Sequence, residues 1–198
     1  EAEDAAIVSA FEHIEAARGD VSLTYFESAT LAALWLFRER NVDVQVLEVG
    51  LGGRLDAVNI LDADVSVITS IGLDHLDWLG PDRASISREK AGIARQNRPC
   101  IVAESDPPDA LLAALNDRGA ETLLINRDWH IDDRQLQTVG GQNAPLPAAR
   151  GLLPSNIGAA MQALEVSECG DLSEAVLAQM GRVQLLGRLS QRMINGVE

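Results

Sequence analysis

The middle of the sequence alternates short apolar runs with longer amphipathic runs, and this pattern limits the possible folds more than any other feature. Apolar runs of four to six residues predict buried strands, and apolar residues spaced three and four apart predict helices. In chain order we predict a strand at 65–70, a helix at 83–96, a strand at 99–103, a helix at 108–118 and a strand at 122–125. Such alternation indicates an α/β fold with a mainly parallel sheet flanked by helices and joined by right-handed crossovers.

Further elements are predicted on both sides of this region. Helices at 5–17, ended by Gly19, and at 27–40 precede a strong strand at 42–49. The stretch 126–154 holds prolines, paired glycines and short alternating segments, which predict a small antiparallel excursion. Two more helices follow, one at 156–166 with Ser155 as its N-cap and one from 172 to about 180.

Composition excludes several classes of protein. The formal net charge of −14 argues against a general nucleic-acid surface, because such binding depends on Lys and Arg neutralising phosphates. No apolar run approaches the roughly 20 residues that a bilayer requires. Cys100 and Cys169 match no metal or redox spacing, so we expect reduced thiols in a cytoplasmic protein.

The glycine-rich run 47–59 follows the predicted strand at 42–49. Glu48 stands at the strand end and Asp56 beyond the glycines. In open α/β sheets ligands bind beyond the carboxyl ends of the strands, so this run predicts part of a ligand site. A buried carboxylate needs a cation or hydrogen-bond donors, and for Glu48 either a metal ion or a structural salt bridge with Arg54 would serve.

A second run, 70–80, also follows an apolar strand and contains His75 between Asp74 and Asp77. Its imidazole could share one Mg²⁺ with Glu48, and the alternative is a histidine that caps a loop. Lys90 is either a solvated helix charge or, if partly desolvated near a metal, an amine that takes up CO₂ as a carbamate.

Three residues could line a pocket for a flat heterocycle. Phe26 would stack on the ring, Asp56 would accept paired N–H donors, and Thr24 would complete the wall. The alternative for the three is ordinary packing and a helix N-cap.

The runs 47–59, 70–80 and 88–93, together with 11–20 and 23–27, resemble the Mur ligase superfamily and, within it, the dihydrofolate synthase/folylpolyglutamate synthase family. The clear resemblance covers about 11–104. It implies an ATP-dependent amide ligase that uses Mg²⁺, in which ATP phosphorylates a dihydropteroate or folate carboxylate and the amine of L-glutamate attacks the acyl phosphate.

The resemblance also implies roles for individual residues. Glu48 and His75 match magnesium ligands, and Lys90 matches a carbamylated lysine that helps to hold a second metal. Thr24, Phe26 and Asp56 match the pterin pocket. Asn156 and Arg188 resemble ATP contacts, although Arg188 stands in Leu186-Gly187-Arg188-Leu189-Ser190 where the family has Pro-Gly-Arg-Phe-Gln.

Two family segments are absent from the sequence: the Gly-x-x-Gly-Lys-[Ser/Thr] phosphate loop and the Asp-x-Ala-His-Asn-Pro segment. We therefore expect residues 1–182 to form a partial Mur-ligase-like central ATP-binding domain of the P-loop type, without its first strand and phosphate loop. Residues 183–198 would be a linker or the start of a C-terminal Rossmann-like domain. This chain alone is expected to be inactive and monomeric, with small molecules as its partners and neither nucleic acid nor membrane.

Two other functions compete with the ligase. A non-catalytic remnant of the fold could bind a folate or a protein partner, but a pure binder has no need of Glu48, His75 and Lys90 together. A cell-wall precursor ligase of the same superfamily is disfavoured by the run 24–27 and by Asp56, which match the folate branch.

Overall fold

The computed structural model describes residues 2–149 and 151–183. Two compact units divide the chain, Glu1–Leu61 and Asp62–Glu198. Among the described residues, no helix has the length and apolar character needed to cross a bilayer. The predicted domain boundary at 182/183 falls at the end of the described chain and stays a prediction.

The first unit is built on two helices that pack against each other, α1 (Asp4–Arg18) and α2 (Tyr25–Glu39). Both match the predicted helices closely, and Gly19 ends α1 at a positive φ of 56°, as expected. A 3₁₀ helix at Ala57–Ile60 completes the unit and contacts α2.

The strand predicted at 42–49 is wrong. These residues form no strand, and the side chain of Val46 is 88% exposed. A β-strand is stable only when its backbone pairs with a neighbouring strand. Among its described residues the first unit contains helices and turns but no strand, so segment 42–49 finds no strand there with which to pair.

The second unit holds the parallel sheet. Its strands are β1 (Ser66–Ile68), β2 (Pro99–Val102) and β3 (Glu121–Leu124), in the order β1-β2-β3. The register pairs Val67 with Ile101 and Ile101 with Leu123. The mainly parallel sheet predicted from the alternating pattern is confirmed.

Helices α3 (Leu76–Leu79), α4 (Arg83–Ala91) and α5 (Asp109–Asp117) lie between these strands in sequence. Helix α4 is shorter than the predicted 83–96. It ends before Gly92, and the chain continues in tight turns whose N–H groups bond three residues back. Glycine is a poor helix former, so the apolar pattern beyond it does not extend the helix.

The sheet is covered on both faces because neighbouring residues of a strand point to opposite sides. In β2, Ile101 packs into one core cluster, while Cys100 and Val102 pack into another that includes Leu111 and Leu115 of α5. All five side chains are fully buried. The two clusters fix the sheet between two apolar layers.

The predicted antiparallel excursion is confirmed as the three-stranded sheet β4 (His130–Asp132), β5 (Gln135–Gln137) and β6 (Asn143–Pro145). It precedes α6 (Pro154–Val166) and α7 (Glu174–Met180). The prediction of Ser155 as N-cap is wrong, because Leu153 is the cap and Pro154 opens the helix. Proline is already set for the first helical position, so the helix begins two residues early.

Candidate functional site

The glycine run beyond 49 forms a tight turn organised by Asp56. Its Oδ2 accepts hydrogen bonds from the backbone N–H groups of Gly50 and Leu51, at 3.0 and 2.9 Å, and Oδ1 accepts one from Val58 at 3.0 Å. The last bond also caps the 3₁₀ helix. At least three of the roughly four acceptor positions of this carboxylate are therefore used by the protein's own backbone.

Phe26 lies directly against this turn. A Cβ placed on Gly50 would come within 2.8 Å of the Phe26 ring, so only glycine permits this approach. The Phe26 side chain remains 42% exposed, which leaves part of its ring open to a ligand. The structure thus brings Phe26, Gly50 and Asp56 together within the first unit.

Thr24 is a helix cap. Its hydroxyl accepts the Glu27 backbone N–H at 3.2 Å and donates to the Glu27 carboxylate at 2.8 Å, while the Thr24 backbone N–H donates to the same carboxylate at 2.7 Å. These contacts form a capping box. Hydrogen bonds from the Thr24 backbone and hydroxyl hold the pKa of Glu27 below its usual range.

Glu48 is exposed and stands on the extended segment that replaces the predicted strand. The following glycines form a turn, with positive φ angles of 68° at Gly52 and 154° at Gly53. Position 48 therefore places a carboxylate next to the turn in the first unit, although not at the end of a strand.

His75 occupies a left-handed backbone conformation, with φ 52° and ψ 41°, immediately before α3. Its backbone N–H donates to Asp74 Oδ1 at 2.8 Å, and its Nε2 atom lies 3.7 Å from Asp74 Oδ2. The imidazole is exposed, and the residue also caps a short helix. The backbone of His75 therefore has the capping role of the alternative prediction, while its side chain remains accessible to a ligand.

Lys90 lies half-buried in the last turn of α4. Within the described residues it forms no ion pair, which fits both the solvated helix charge and an amine free to become a carbamate. It is also the single lysine of the sequence. Asn156 is exposed in the first turn of α6, and Arg188 lies outside the described residues.

Sequence reasoning missed two residues beside the His75 loop. Arg83, the first residue of α4, and Glu104, just after β2, both bind the backbone of Ile71. Glu104 carried a usable signal, because it is an acid directly beyond an apolar strand. Arg83 carried none, since an arginine at a helix start has no distinctive pattern.

The donor types of Glu48 and His75, a carboxylate and an imidazole, suit a divalent cation. Within residues 2–149 and 151–183, however, no group of three or more His, Cys, Asp or Glu side chains is placed to hold a metal ion. Glu48 belongs to the first unit and His75 to the second. The donor chemistry fits a metal, and Glu48, His75 and Lys90 stay predicted ligands.

Comparison with known proteins gives a consistent result. The dihydrofolate synthase/folylpolyglutamate synthase of Escherichia coli K12 is 45% identical over 96% of this chain and 47% of its own length. The enzyme of the same name from Haemophilus influenzae is 40% identical over 84% of this chain and 39% of its own length. The chain thus spans less than half the length of these relatives. No protein-family model matches the sequence.

Solved structures of proteins with the same or related names also match this chain. E. coli FolC in complex with DHPP and ADP is 44% identical and has a TM-score of 0.86 over 98% of this chain and 47% of its own. Bifunctional folylpolyglutamate synthase/dihydrofolate synthase with Mn, AMPPNP and L-glutamate bound is 42% identical, with a TM-score of 0.86 over 96% of this chain and 47% of its own.

The parallel sheet, its flanking helices and the small antiparallel sheet define an α/β protein of the Mur ligase type. More narrowly, the chain is homologous to part of the dihydrofolate synthase/folylpolyglutamate synthases, which are ligases. The resemblance inferred from the motifs is confirmed.

Proposed function

We propose that the full-length protein carrying this chain is an ATP-dependent ligase that joins L-glutamate to dihydropteroate or to a folate. The observation that carries the proposal is 45% identity over 96% of the chain to an E. coli enzyme of that name. In the reaction, a substrate carboxylate oxygen attacks the terminal phosphorus of ATP and releases ADP. The glutamate amine then attacks the acyl carbon, and phosphate leaves as the amide forms.

In this proposal the first unit binds the pterin. The exposed part of the Phe26 ring stacks on the heterocycle, and Asp56 accepts an N–H from it. Because at least three of the roughly four acceptor positions of Asp56 already hold the turn, the carboxylate can accept at most one N–H without releasing a backbone bond. Thr24 places Phe26 by fixing the start of α2.

Glu48, His75 and Lys90 as a carbamate would hold Mg²⁺, which supplies neutralisation of phosphate charge when bound. The half-buried position of Lys90 in the last turn of α4 supports this role, because partial desolvation favours the neutral amine that reacts with CO₂. Asn156 would contact ATP from the first turn of α6, and Arg188 would contact it from the segment beyond 183. A cytoplasmic location and a monomeric state complete the proposal.

The test is a stoichiometric assay of the full-length protein with Mg²⁺, ATP, dihydropteroate and L-glutamate. We expect one ADP, one phosphate and one new amide per turnover, with activity abolished in the His75→Ala variant. Folate binding without ATP consumption would instead support the non-catalytic binding protein. The 198-residue chain alone should bind a folate without consuming ATP, because its sequence has no Gly-x-x-Gly-Lys loop to stabilise the phosphates.

A further inference from the structure

The loop that carries His75 is fixed at its start by two charged side chains from outside the loop. Arg83 Nε donates to the carbonyl oxygen of Ile71 at 3.0 Å, and the Ile71 N–H donates to Glu104 Oε2 at 2.8 Å. Both polar groups of one backbone residue, four positions before His75, are thus held by charge-assisted bonds.

Arg83 and Glu104 also bind each other and the segment after β2. Arg83 Nη2 lies 3.3 Å from Glu104 Oε2 and donates to the carbonyl oxygen of Asp106 at 2.8 Å, while Nη1 reaches Asp106 Oδ2 at 3.0 Å. The other Glu104 oxygen, Oε1, accepts the Asp106 N–H at 3.0 Å. The Glu104 side chain is only 11% exposed, so its bond to the Ile71 N–H is largely shielded from water, whereas Asp106 is 89% exposed.

The far end of the loop is fixed by close packing. Gly80 has a φ of 102°, and a Cβ there would lie 2.5 Å from the Ser85 Cβ of α4. Asp82 caps α4 by accepting the Ser85 N–H at 2.7 Å. Residues 72–79 therefore form an arc held at both ends by the start of α4.

We propose that Arg83 and Glu104 are positioning residues that set the place of the His75 imidazole by clamping the backbone of Ile71, an inference that rests on the proposed function of His75. The planar guanidinium binds two carbonyl oxygens and two carboxylates at once, and a lysine has no such geometry. The clamp joins the chain beyond β1 to the chain beyond β2, which is the edge where the ligands of a parallel α/β sheet bind.

The test uses two variants. Arg83→Lys keeps the positive charge but loses the planar guanidinium, and Glu104→Gln keeps the shape of the side chain but loses its negative charge. Glutamine turns one acceptor into a donor that faces a backbone N–H. Hydrogen exchange at Trp78 and Leu79, whose amides bond to the His75 carbonyl, should accelerate about ten- to a hundredfold. Exchange at Leu123 of β3 should stay unchanged. The control is Arg98→Lys, since Arg98 pairs with Asp64 at 3.0 Å, away from the loop.

An NMR measurement distinguishes a role in positioning the His75 imidazole from a role in the stability of the fold. The sequence has three histidines, so the His75 ring signal is identified by its loss in His75→Gln. Mn²⁺ should broaden this signal in the unsubstituted chain and broaden it at least threefold less in both clamp variants. Unchanged exchange at Trp78 and Leu79, or equal broadening in all forms, overturns the positioning role. A His75 signal that Mn²⁺ never broadens instead overturns the proposed metal role of His75, and with it the functional part of this inference.

Discussion

The carboxylate of Asp56 lies 3.0 Å from the backbone nitrogen of Gly50 and accepts its hydrogen bond from across the glycine turn. A Cβ on Gly50 would lie 2.8 Å from the ring of Phe26 and 3.3 Å from Oδ2 of Asp56. One backbone residue thus contacts both a carboxylate acceptor and an aromatic ring. Both neighbours are also the proposed pterin contacts, so the shape of the turn and the shape of the pocket depend on each other.

Replacing Asp56 with Asn should destabilise the turn, because the amide group presents a donor where the backbone N–H groups require an acceptor. We expect the free energy of unfolding to fall by about 1–3 kcal/mol, measured by urea denaturation. Asp20→Asn is the control, since Asp20 is exposed after the end of α1. Equal stability of the two variants would contradict the role assigned to Asp56.

Gly50→Ala should displace the Phe26 ring, because the new methyl group would lie 2.8 Å from it. The expected loss is about 1–3 kcal/mol of stability, together with weaker binding of a pterin to the full-length protein. The matched control is Gly72→Ala, where nothing lies within 4 Å of the added Cβ. Calorimetric titration and thermal unfolding of both variants measure the difference, and a tolerated Gly50→Ala would exclude the close approach.

Thr24→Ala should remove the hydroxyl of the capping box and cost about 1 kcal/mol, while Thr24→Ser should keep most of that stability. The capping bonds lower the pKa of Glu27, so their contribution is present above the unfolded-state pKa and lost as the pH falls through the folded-state value. Thermal unfolding across the acid range should therefore show a smaller acid-dependent loss in Thr24→Ala. Parallel pH curves for the two variants would argue against the capping box.

Lys90 offers a direct test of the carbamate, because it is the single lysine of these 198 residues. With ¹³C-bicarbonate, the full-length protein should give a carbamate resonance that Lys90→Arg lacks. The arginine variant retains the N-terminal amine and any lysine outside these 198 residues, and so reports the background. Lys90→Ala should lower the rate about a hundredfold or more, with partial recovery in added short carboxylates. Full activity without rescue would eliminate the carbamate.

The two cysteines should differ sharply in reactivity. Burial raises the pKa of the Cys100 thiol to about 11, against a small opposing effect of Ser66, whereas Cys169 is exposed. At pH 8 a thiol reagent should modify one cysteine rapidly and the second only on unfolding. Because the unfolded thiol ionises first, this burial predicts falling stability as the pH rises from about 9 to 11. Cys100→Ala should lessen that fall, and two equally fast thiols would contradict the prediction.

Local sequence rules predicted most of the elements, for reasons visible in particular residues. Helices α1 and α2 carry their own signals in Gly19 and Thr24, and the strands of the parallel sheet are short apolar runs that can only be buried. The motifs around Glu48, His75 and Lys90 indicated the family, because the order and spacing of motif residues can be compared without a structure. The signals that predict these features lie within a few positions of one another in the sequence.

Other features were decided by tertiary structure alone. Segment 42–49 has every local preference for a strand, yet forms none in the first unit because strand pairing needs a second backbone. The clamp of Arg83 and Glu104 on Ile71 joins residues 12 and 33 positions apart, a separation that no local pattern encodes. The sequence by itself determined the family and the candidate ligand-binding residues. Only the tertiary structure determined which distant side chains hold the backbone beside those residues in place.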